Sequence, residues 1–146
     1  MTTSDEIAWE RYSDGIALTL TRMSSGARLV IKAIGNRYAR FYMDKTEFWC
    51  EIVYNDQVAG ERRMTPQSEE ILLSQGWRPP EKPRVLGWYR AIDWPAHHRD
   101  YETVARQVAT ALHRFLRVET PTQLTVKAWI DNSQDSFNTS ALELRP

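Results

Sequence analysis

The chain has 146 residues, enough for one domain with a real core, and its nineteen basic and nineteen acidic side chains cancel to a formal charge of zero. A neutral surface offers no long-range field toward nucleic acid or an anionic membrane, and no apolar run approaches the roughly 20 residues that span a bilayer. The one cysteine, Cys50, has no intrachain partner, and the N-terminal MTTSDEIAWERY lacks the basic and apolar regions of a signal peptide, so a cytoplasmic protein is expected.

Along the chain, Trp9, Tyr12, Ile16, Leu20 and Met23 recur at three and four, which predicts a first helix from Asp5 to about Met23, capped by Ser4 or Asp5. Ile7 and Leu18 project to its opposite side. Arg28 to Ile34, Asn36 to Met43 and Glu47 to Tyr54 then read as three antiparallel strands, with Gly35-Asn36 as a tight hairpin and Asp44-Lys45-Thr46 as the second reversal. In the second strand Ala39, Phe41 and Met43 share one face, while Tyr38, Arg40 and Tyr42 share the other. Both faces therefore carry large groups, and a helix can cover only one of them.

Thr65-Pro66 marks the start of a short second helix with Ile71 and Leu72 on its buried side and Gly76 as its left-handed end. Pro79, Pro80 and Pro83 exclude both helix and ladder pairing, after which Val85 to Ile92 returns as a strand closed by Trp94-Pro95. The cleanest periodicity follows. Tyr101, Val104, Ala105, Val108, Leu112, Phe115 and Leu116 form the apolar face of a third helix, with Arg99, Arg106, His113 and Arg117 on a separate flank. Gln123 to Ile130 is a further strand. From residue 132 the chain is polar and turn-rich, a tail expected to pair weakly or fray, which leaves residues 1–131 as a single domain.

No catalytic set emerges. His97-His98 lacks acidic or cysteine partners at ligand spacing, Cys50 sits mid-strand as a small apolar residue would, and GxSxG, glycine-rich phosphate loops and HExxH are absent. Asp93 and Asp100 read as caps of the third helix and not as paired acids. The arginine flank next to Trp and Tyr fits phosphate in principle, but Glu102 interrupts it and a solvated helix face is the simpler account. What stands out is six tryptophans and six tyrosines, large amphipathic rings suited to cores and recognition surfaces alike.

The order of GNRYARFY, LLSQGWRPP, DWP and ETPTQL, covering roughly Leu29 to Leu124, resembles the TY-Chap group, small bacterial proteins related to type III secretion chaperones and the YbjN family. The chain departs from the usual form around GWYRAID. The resemblance implies a type III secretion chaperone-like α+β fold with helices on one antiparallel sheet, and binding of peptides or unfolded segments. The expectation is three helices and four to five strands in the order α-β-β-β-α-β-α-β, no enzyme activity, no cofactor and no metal. The expected partner is a protein or peptide client, with a secreted protein as one candidate. The client would pair with a strand edge and contact Tyr38, Arg40, Tyr42, Trp49 and Trp88. A client-free structural or regulatory homodimer is the alternative, and weak nucleic-acid binding through Arg99, Arg106 and Arg117 ranks below both.

Overall fold

The computed structural model describes residues 3–93 and 96–143, so the strand end expected at Trp94-Pro95 lies outside the described residues. Helix α1 (Ser4–Thr21) opens at Thr3, whose hydroxyl accepts from the Glu6 N–H at 3.1 Å while the Glu6 carboxylate accepts from the Thr3 N–H. This reciprocal pair satisfies two amides that a helix start otherwise orphans, and it puts the cap one residue before the expected Ser4. Ile7 and Leu18 are exposed on the far side, as the projection predicts.

Strands β1 (Ala27–Ala33), β2 (Arg37–Met43) and β3 (Glu47–Ile52) form the predicted meander. The reversal is tight but uses three residues, Ile34, Gly35 and Asn36, because Ala33 pairs with Arg37; Gly35 and Asn36 both take positive φ, 81° and 62°, which lets the chain turn back so sharply. Helix α2 (Pro66–Ser74) is capped by the Thr65 hydroxyl, which accepts from the Ser68 N–H, and it ends where the Trp77 N–H returns to the Leu72 carbonyl. Leu72 is buried, but Ile71, expected beside it, is exposed because α2 meets the body along a single narrow line.

Strand β4 (Trp88–Asp93) begins three residues later than expected. Residues 78–85 are instead used in a proline-rich loop of their own, which is closed by backbone bridges between Glu81 and Val85 and between Arg78 and Tyr89. Helix α3 (His98–Thr110) continues into one wide turn, Ala111–Phe115, in which the Leu116 N–H reaches back to the Ala111 carbonyl at 2.8 Å. Strand β5 (Thr125–Ile130) then pairs with β1. All neighbours are antiparallel, in the order β4-β3-β2-β1-β5.

One sheet face is apolar except at its margins, where Arg37 and Arg90 reach α3 and the chain just beyond it. Leu29, Ile31, Phe41, Phe48, Cys50 and Ile52 are sealed beneath Ile16 and Leu20 of α1 and Val104, Val108 and Leu112 of α3. Burying each large side chain contributes about 1.5–3 kcal/mol, and this stack is the main source of stability. The segment after β5, expected to pair weakly or fray, returns to the body as far as the described residues go. A short turn at Ser140–Leu142 lies against α1, Leu142 joins the core and Phe137 packs on it, because the polar stretch carries these two apolar anchors.

Candidate functional site

Among the described residues, no helix lies over the other face of the sheet. Cross-strand register brings Trp129 of β5, Arg28 of β1, Tyr42 of β2 and Trp49 of β3 into one row, with Lys127, Val30, Arg40 and Glu51 in the next. Alternation decides this, since residues two apart on a strand share a face. At one end the proline-rich loop folds over the sheet: the Tyr89 hydroxyl donates to Glu81, Lys82 pairs with Asp56, and Glu51 is buried in an ion pair with Arg40. What remains is an open depression of about 440 Å³ between the loop residues Arg84 and Val85 and the sheet, floored by Val30, Tyr42, Trp49 and Trp129.

The rings in this depression are held in place. The Arg28 guanidinium lies 4.0 Å from the centre of the Tyr42 ring and is fixed by the Asp131 carboxylate, which accepts at 3.0 Å. Trp49 stacks on Tyr89 with centroids 5.0 Å apart and planes 11° from parallel. Trp129 is 40% exposed, a large apolar plate facing solvent on an outer strand. Fixed aromatic plates among cations suit an extended chain with large side chains, because little side-chain entropy is lost when it docks.

Of the five residues singled out from sequence, Arg40, Tyr42 and Trp49 come together in this depression. Tyr38 is on the same face but buried, with Arg40 5.6 Å from its ring. Trp88 sits elsewhere: it is paired in register with Ile52, so it points to the helix-covered face, where it is 3% exposed and packs on Tyr54. The sequence reading missed Trp129, Arg28 and Arg84. The alternation in TVKAWI put Trp129 on the face of Lys127, but which strand β5 pairs with is a long-range fact that no local pattern carries.

Both outer strands are partly occupied along their free edges. Tyr89 of β4 exchanges backbone bonds with Arg78, and on β5 the Ala128 and Ile130 carbonyls accept from the Ser136 hydroxyl and the Ser133 N–H. The edges are therefore less open to an added strand than the face is to a docked one.

A second cleft, about 500 Å³, separates α1 from α3. Glu6, Glu10 and Asp14 line one wall and Arg106, His113 and Arg114 the other. His113 stacks on Trp9 at 5.1 Å, and burial, reinforced by Arg114, holds its imidazole below the usual value. The expected arginine flank is broken here. The wide turn ends α3 before Arg117, which takes φ 56° and donates to the Glu61 carbonyl instead of extending the line of Arg99 and Arg106.

The other candidates for chemistry are accounted for structurally. Burial pushes the Cys50 thiol up to about 12, so it is a neutral core group that donates to the Arg90 carbonyl. His98 pairs with Glu102, Asp100 accepts from the His97 N–H, and no group of three metal-ligating side chains occurs among the described residues. No helix among the described residues is long and apolar enough to cross a membrane.

Comparison with curated proteins and with solved structures finds no match. A family model does match residues 2–130, and its description is T3SS (YopN, CesT) and YbjN peptide-binding chaperone 3. The match runs from the start of α1 to the end of β5, and the chain belongs to the TY-Chap3 family.

Proposed function

We propose that this protein is a non-enzymatic, cytoplasmic chaperone that holds an extended client segment on the open face of its sheet. The family carries a peptide-binding chaperone role in general. One observation carries the assignment to this face: the sheet is covered by helices on one side only, and its other side presents Tyr42, Trp49 and Trp129 in a walled depression. Arg40 contributes a cation there, while Tyr38 is buried on the same face and Trp88 belongs to the core on the other. A secreted protein before export would be a suitable client, because it is unfolded and presents extended apolar segments. The client docks on the face and does not need to add a strand, since both edges are partly satisfied.

Titration of the protein with peptides from the native host, followed by tryptophan fluorescence, tests this. Trp49→Ala and Trp129→Ala should each weaken binding by roughly tenfold or more, as truncating an aromatic anchor usually does, with the far-ultraviolet spectrum unchanged. If both variants bind as the parent does, the face is not the site. If light scattering shows a stable dimer whose interface uses these rings, self-association takes the place of a client.

A further inference from the structure

The open face is not uniform in charge. Val30, in the middle of β1, lies directly across from Arg40 on β2 and Lys127 on β5, and its own neighbours on that face are Arg28 and Lys32. Strand geometry puts the side chains across from it about 5 Å away and those two along the strand about 7 Å away, so one half-buried valine is ringed by four cations. Asp131 neutralises Arg28 and Glu51 neutralises Arg40. Lys32 and Lys127 are exposed and pair with no carboxylate among the described residues, and neither does Arg84 on the wall of the depression. Two further acids of the depression, Asp44 and Glu47, lie apart from this ring at the β2–β3 turn.

We infer that the preferred occupant is an acidic extended segment, its carboxylates over the Val30 ring of cations and its apolar side chains on Tyr42, Trp49 and Trp129. This rests on the reading of the open face as the peptide site and names what that site selects. Two free lysines and a free arginine beside apolar plates complement a chain that carries both negative and large apolar side chains, and they repel a basic one. A phosphate polymer fits less well, because Glu51 and Asp131 already neutralise two of the four cations and the molecule as a whole is neutral, which leaves too few free charges to follow a backbone of regularly spaced phosphates.

Three series of short labelled peptides test the idea. They share alternating Trp and Leu positions and differ only in Glu, Gln or Lys between them, and binding is read by fluorescence anisotropy at rising ionic strength. The Glu series should bind about tenfold tighter than the Gln series and lose that advantage with salt, and the Lys series should bind least. The double variant Lys32→Glu and Lys127→Glu should reverse the order. Both side chains are exposed, so the fold should survive, and a matching thermal unfolding curve checks this. Equal binding of the Glu and Gln series would overturn the charge preference while leaving peptide binding intact. Failure of all three series, with host-derived peptides also silent, would remove the peptide site itself. Tighter binding of single-stranded RNA than of any peptide, abolished by the same double variant, would overturn the acidic peptide in favour of nucleic acid.

Discussion

Arg37 shows how a side chain that looks like part of a binding surface can be a structural fastener. It directly follows the tight turn in GNRYARFY, is 6% exposed, and donates to the Ile34, Leu116 and Arg117 carbonyls at 2.9, 3.1 and 3.0 Å. Two of these acceptors are carbonyls at the end of α3 that the wide turn leaves without a helical partner, so one guanidinium ties the β1–β2 hairpin to the helix terminus. Arg37→Met keeps much of the stem but strands these carbonyls. It should lower stability by about 3 kcal/mol in urea unfolding, as buried charge-assisted bonds are worth, and Arg37→Lys should recover only part because an ammonium cannot reproduce the fork. Two other stretches that carried the family resemblance supply fasteners of the same kind. Trp77 of LLSQGWRPP is buried with its indole N–H on Gln107, and the Glu119 carbonyl of ETPTQL accepts from the Trp9 indole at 3.1 Å. They were legible as landmarks because they fix the chain path, and for the same reason they say little about the client.

Among the elements, those with a local period were readable and those defined by a distant contact were not. The apolar face of α3 at Tyr101, Val104, Val108 and Leu112 and the alternation in β2 came directly from sequence, since burial imposes its period on the residues themselves. The wide turn at Ala111–Phe115, the late start of β4 and the return of the tail onto α1 depend on partners far along the chain. Gly15 illustrates the difference. From sequence it is a weak point in α1, where Ala would add about 1 kcal/mol. In the structure a Cβ at that position would run into the Ala141 carbonyl, which Leu142 anchors against the helix. Gly15→Ala should therefore destabilise the full chain in thermal unfolding, and the same substitution in a chain ending at Asn138 should be neutral or stabilising. Destabilisation of both would mean that the tail is not what Gly15 accommodates.

For the molecule as a whole, the division of the sheet into a sealed face and an open one determines how a client can be held. A chaperone that captures its client by adding a strand needs a free edge, and it recognises main-chain N–H and C=O groups first. Here the Arg78–Tyr89 bridge occupies part of the β4 edge, and Ser133 and Ser136 occupy carbonyls on the β5 edge, whereas the rings of Tyr42, Trp49 and Trp129 point outward from the open face. On the proposed reading, recognition on that surface works through side chains. A bound peptide should then tolerate N-methylation of alternate amides, which removes ladder donors but leaves side chains in place, with affinity changing less than about threefold. Replacing its large apolar residues by Ala should cost tenfold or more. An edge-adding client would respond in the opposite sense, losing binding to a single N-methyl group on its paired side while tolerating several side-chain truncations. Calorimetry on the two peptide sets therefore separates capture by the face from capture by the edge, and binding abolished by N-methylation alone would move the site to β4 or β5.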